Sequence, residues 1–109
     1  MQYIISGKVI KGDSYGRKIG FPTVNLEITQ GSPVEIKEGV YAGSALLENI
    51  EYRAGIVIGH KIEAHLIGYN EDAYGKEVTL TLEKFLREYK VFDTEEELIN
   101  QIKKDIAQC

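Results

Sequence analysis

Glu77-Val78-Thr79-Leu80-Thr81-Leu82-Glu83 sets Val78, Leu80 and Leu82 against Thr79, Thr81 and Glu83, the period-two alternation of a half-buried β-strand. Runs of the same kind flank it. Tyr3–Ile10 alternates Tyr3, Ile5, Gly7 and Val9 with Ile4, Ser6, Lys8 and Ile10, and 23–28 alternates Val24, Leu26 and Ile28 with Thr23, Asn25 and Glu27. Gly39–Leu47 carries small residues that permit close strand packing, while 51–58 and 61–69 are β-like runs joined at Gly59-His60 in the manner of a hairpin. Between them, 29–38 reads as a surface excursion around Gly31-Ser32-Pro33, with a short alternation at Val34 and Ile36, and Glu48-Asn49 and Asn70-Glu71-Asp72 read as turns. The end of the chain changes period. Thr94 with Glu97 three residues on is a capping box, and Leu98, Ile99, Ile102 and Ile106 then recur at helical spacing, with Lys103 and Lys104 in the last turns. Six short strands, glycine-containing turns and no helices between the strands predict a mainly β chain. Its antiparallel sheet closes into a small six-stranded barrel followed by one C-terminal α-helix.

The 109 residues suffice for one domain with a real core, residues 1–109. No apolar run approaches the ~20 residues of a membrane helix, and the first residues lack the basic and apolar regions of a secretory signal, so a cytoplasmic protein with no membrane partner is expected. A net charge of -4 argues against broad electrostatic capture of nucleic acid. The single cysteine, Cys109, excludes an intramolecular disulfide and a cysteine-based metal site, and two histidines are too few for a histidine-rich one. The chain is expected to act as a monomer.

The chemistry concentrates in Gly16-Arg17-Lys18-Ile19-Gly20-Phe21-Pro22-Thr23-Val24-Asn25-Leu26. Gly16 and Gly20 can bring backbone N–H groups close to an anion, Arg17 and Lys18 supply positive charge, and 12–20 reads as a long flap that starts at Gly12. Pro22 fixes the start of the strand on which Thr23 and Asn25 share a face. A hydroxyl and an amide oxygen are hard ligands that suit Mg2+ better than Zn2+. Phosphate beside magnesium suggests a nucleotide. The same letters also read as a glycine-rich turn before an ordinary strand, and spacing leaves both readings open. Glu63, opposite the inward set Ile62, Ala64 and Leu66 and beside His65, can take a proton from a hydroxyl; a carboxylate so placed is more often a solvated surface residue.

These residues carry a resemblance. GRKIGFPTVNL is similar to the signature of riboflavin kinases, a glycine and a basic residue followed by Leu/Ile-Gly-Phe-Pro-Thr-x-Asn-Leu. The likeness continues through Gly39-Val40-Tyr41-Ala42, Ile62-Glu63-Ala64-His65-Leu66, Tyr74-Gly75-Lys76-Glu77-Val78 and Phe85-Leu86-Arg87 to Phe92 and the acidic helix, over nearly the whole chain. It implies a Greek-key barrel with nucleotide and flavin at opposite sides of a common cleft. The implied reaction moves the terminal phosphoryl group of ATP to the primary ribityl hydroxyl of riboflavin, giving FMN and ADP, with Mg2+ as cofactor. It implies nucleotide contacts at Gly12, Gly16, Arg17, Lys18, Gly20, Pro22, Thr23 and Asn25, metal ligation by Thr23 and Asn25, Glu63 as catalytic base with His65 a neighbour, and flavin contacts at Arg87 and Phe92.

Two features depart from that pattern. Many bacterial members carry an N-terminal adenylyltransferase domain that makes FAD, whereas this chain begins at its first barrel strand, and that activity is expected to be absent. The family usually has an Asn/Gly-rich segment with a Pro-Thr pair before the glutamate; here Arg53-Ala54-Gly55-Ile56 runs through Gly59 to Glu63 without one, which bears on cleft shape and acceptor choice. Two other readings stay open: a barrel that binds flavin or nucleotide without turnover, and a protein-interaction barrel in which the glycine flap is only a loop.

Overall fold

The period-two runs pair with one another until no strand is left with a free edge. The computed structural model describes residues 3–10, 23–30, 36–69, 73–88 and 90–109. Its strands are β1 (Tyr3–Ile10), β2 (Val24–Gln30), β3 (Gly39–Leu47), β4 (Ile50–Ile58), β5 (Ile62–Leu66) and β6 (Glu77–Arg87), followed by the C-terminal helix α1 (Glu95–Ala107). All pairings are antiparallel, and the sheet closes in the order β1-β2-β5-β4-β3-β6. β3, β4 and β5 follow one another as neighbours and β6 returns beside β3, the Greek-key arrangement.

Local chemistry sets the corners. Glu48 and Asn49 both adopt left-handed conformations, with φ of 51° and 65°, as a two-residue hairpin turn between β3 and β4 requires. The inward residues fill the barrel: Ile5, Leu47, Ile56, Val78, Leu80 and Leu82 are the largest fully enclosed side chains. Each contributes about 1.5–3 kcal/mol by leaving water. Among the described residues, no helix is long and apolar enough to cross a membrane.

The structure departs from the sequence reading at three places. β6 runs on to Arg87, beyond the alternation that ends at Glu83. Along β3 the partners of Ala42 and Gly43 are Lys84 and Leu82, and those of Val40 and Tyr41 are Arg87 and Phe85, so Glu83 and Leu86 are extra residues at two bulges that break the period. Ile36, assigned to a surface excursion, is buried in the core cluster. The third departure concerns α1. Thr94 caps it as expected, its Oγ1 accepting from the Glu97 N–H at 3.2 Å. Yet Leu98, Ile99, Ile102 and Ile106 are only half-buried, and the enclosed helical residue is Asp105.

The helix lies outside the barrel. Val40 and Ala42 alternate with the inward Tyr41 and stand apart from the interior cluster, yet both are buried, because α1 packs across β3 and β4 above them.

Candidate active site

Strand register places the candidate residues in one line. Across the outer face, Ile10 of β1 pairs with Asn25 of β2, Asn25 with Glu63 of β5, Glu63 with Val57 of β4, Val57 with Val40 of β3, and Val40 with Arg87 of β6. Directly opposed residues share a face, so their side chains leave the barrel side by side. From Glu63 to Arg87 is three strand spacings, about 14 Å. The row forms a track with an oxygen-bearing end at Asn25, a carboxylate next to it, an apolar middle of half-buried Val57 and of Val40 beneath α1, and a guanidinium at the far end.

Asn25 is not the solvent-facing residue its place in the alternation suggests. It is 7% exposed, and its Oδ1 has no hydrogen-bond partner among the described residues. A buried carbonyl oxygen left so costs about 1–3 kcal/mol, a cost that ligation of a cation would offset. Thr23, one residue before β2, is exposed. A hydroxyl and an orphaned amide oxygen two positions apart fit a hard divalent ion. Among the described residues, no three His, Cys, Asp or Glu side chains gather to hold a metal, so an ion here would rest on neutral oxygens and on those its substrate brings.

Glu63 is half-buried between Asn25 and Val57. His65, two positions along the same face, stands opposite Gly55. Gly12, Gly16, Arg17, Lys18, Gly20 and Pro22 lie outside the described residues.

Arg87 and Phe92 come together at the other end, the Arg87 Cζ lying 5.5 Å from the Phe92 ring centroid, with Lys90 Nζ 5.3 Å from the same ring. The guanidinium is not a free surface. Its Nε donates to Asp105 Oδ1 and Oδ2 at 3.1 and 3.2 Å, and its Nη2 to Oδ2 at 2.9 Å. Sequence reasoning missed Asp105, though a signal was present: with Leu98, Ile102 and Ile106 it completes an i, i+4, i+7, i+8 stripe, so an acid occupies the apolar face of the helix.

The sequence model of the flavokinase family, riboflavin kinase, matches residues 1–109. The chain belongs to the riboflavin kinase family. It is 35% identical over 115 residues to the RNA-binding riboflavin kinase RibR of Bacillus subtilis (strain 168), an alignment that covers 95% of this chain and 48% of the relative. It is 37% identical over 114 residues to the bifunctional riboflavin kinase/FMN adenylyltransferase of Escherichia coli (strain K12), covering 94% of this chain and 36% of the enzyme. The chain thus spans half or less of the length of these curated relatives. The crystal structure of riboflavin kinase from Trypanosoma brucei superposes with a TM-score of 0.75 at 21% identity, over 97% of this chain and 73% of that one, a likeness of fold. The six-stranded barrel with a C-terminal helix is therefore the riboflavin kinase architecture.

Proposed function

We propose that this chain transfers the terminal phosphoryl group of ATP to the primary ribityl hydroxyl of riboflavin, giving FMN and ADP. The observation that carries the reading is the outer-face row, which sets Asn25 beside Glu63 and ends, about 14 Å away, at Arg87. That span suits a flexible polyhydroxyl chain with a planar ring at its end.

Glu63 acts on the acceptor. Its carboxylate accepts a hydrogen bond from the ribityl hydroxyl and takes the proton as the new O–P bond forms and the bond to the bridging oxygen breaks. Thr23 and Asn25 would hold a magnesium ion, which supplies positive charge to the phosphate oxygens. Gly12, Gly16, Arg17, Lys18, Gly20 and Pro22 belong to the segment that leads into these ligands and serve the nucleotide. Half-buried Val57, next to Glu63 on the outer face, offers the acceptor an apolar contact, and Arg87 with Phe92 meets its ring. Catalysis on such a track is mainly positioning and electrostatics.

Flavin and nucleotide are the partners on this reading, and the chain works as a monomer in the cytoplasm. A net charge of -4 argues against RNA capture of the kind that the B. subtilis relative's name records. The test is to incubate the chain with riboflavin, ATP and Mg2+ and separate the products by chromatography. FMN is expected. Flavin binding without FMN under any nucleotide or metal would replace the reading with a binding-only barrel.

A further inference from the structure

The Arg87–Asp105 pair carries more than the docking of a helix. Asp105 is 6% exposed and is the one charged side chain buried among the described residues. Enclosing a carboxylate is costly even when it is paired, and an apolar residue at that place on the stripe of Leu98, Ile102 and Ile106 would hold the helix at least as well. Adhesion alone does not call for it.

Orientation does. The carboxylate is itself fixed, because Gln101 Nε2 donates to Asp105 Oδ1 at 3.0 Å. Its two oxygens engage Nε and Nη2 of Arg87, which sets the plane of the guanidinium. Arg87 Nη1 donates to the Glu88 carbonyl at 3.2 Å, and the Phe92 ring lies 5.5 Å from Cζ. Of the five N–H groups of an arginine, these bonds occupy one on Nε and one on each terminal nitrogen. The second N–H of Nη1 and of Nη2 has no partner among the described residues, and the Arg87 side chain keeps 22% of its surface open.

We propose that Asp105 is a positioning residue: it holds the Arg87 guanidinium so that these two N–H groups present a fixed pair of donors to carbonyl oxygens on a planar heteroaromatic ring at the end of the track. This deepens, and rests on, the assignment of riboflavin as acceptor. Asp105 touches no substrate. It acts through Arg87, and Gln101 acts through Asp105.

The test uses the whole chain and titrates riboflavin by the quenching of its fluorescence, with Mg2+-ATP affinity measured separately. Asp105→Leu keeps the helical stripe apolar, and Asp105→Asn keeps the side chain's shape; thermal melts check that both fold. Each is expected to weaken riboflavin binding about 10-fold, the scale of a charge-assisted hydrogen bond lost from its place, with Mg2+-ATP affinity unchanged. Arg87→Lys should weaken riboflavin to the same degree, and combining it with Asp105→Asn should add little, because both changes remove one device. A wild-type chain that does not bind riboflavin overturns the acceptor assignment itself. Wild-type binding that either folded Asp105 variant retains in full overturns the positioning role, as does an equal loss of riboflavin and nucleotide affinity.

Discussion

Asn25 and Glu63 stand directly opposite each other on β2 and β5, and the amide oxygen of Asn25 is buried without a hydrogen-bond partner among the described residues. An unpaired oxygen contributes nothing to the fold, so its removal separates ligation from stability. Asn25→Ala should melt within about 1 kcal/mol of the wild type without ligand. It should lose most of the thermal shift that Mg2+-ATP produces. Thermal melts with and without Mg2+-ATP measure both. A large loss of stability in the free protein would instead make the Asn25 amide a structural group.

Glu63 leaves the barrel on the same face and supports no part of the interior cluster. Glu63→Gln retains the side chain's shape and removes its basicity. The rate of FMN formation should fall by about 10²- to 10⁴-fold, the usual range for general acid–base catalysis, with little change in riboflavin affinity. Steady-state kinetics decide it; an undiminished rate ends the assignment of Glu63 as base.

Two glycines give opposite predictions. At Gly43, beside the bulge between β3 and β6, a Cβ would collide with the Thr81 carbonyl oxygen, backbone that cannot swing aside. Gly43→Ala should cost more than about 3 kcal/mol or prevent folding. At Gly55 a Cβ would meet only Cys109 Sγ at 3.7 Å, an ordinary contact. Gly55→Ala should be tolerated within about 1 kcal/mol. Urea denaturation of the pair compares them directly.

Burial pushes the Tyr41 hydroxyl above its ordinary value of 10.0, with Tyr3 adding to the rise, and the hydroxyl donates to the Lys37 carbonyl at 2.6 Å. The unfolded chain therefore gives up this proton first as pH rises. The contribution of Tyr41 is complete below pH 10 and is lost as pH climbs from there through the raised folded value. Spectrophotometric titration should show tyrosine ionisation above the ordinary value of 10.0, and Tyr41→Phe should remove that late step while flattening the alkaline fall in stability.

Much of this protein is legible in its sequence because an antiparallel strand with one wet face leaves a period of two. Val78, Leu80 and Leu82, or Ile62, Ala64 and Leu66, declare their inward side before any partner is known. The pattern fails where register slips. The extra residues Glu83 and Leu86 hid the last turn of β6, and with it the pairing that brings Arg87 into line with Val40. A lone Ile36 has no period to reveal it, and alternation, which put Asn25 on the outer face, does not report that it is buried there. Asp105 was overlooked for another reason: an acid in a helix with charged neighbours is ordinarily solvated, and only Arg87, 18 residues earlier in the chain, makes its burial sensible. Among the candidate residues, Asn25, Glu63 and Arg87 fall in one row, whereas the glycine-rich segment before Thr23 contributes no described geometry.

The closed sheet keeps what holds the molecule together apart from what would react. Every candidate side chain in the row leaves the barrel outward, while the enclosed space is filled by aliphatic groups. Volume-conserving changes such as Ile56→Leu cost little in a packed interior. The inside of this barrel can therefore be rewritten for heat resistance by an engineer, or drift under mutation, while the reacting surface keeps its spacing.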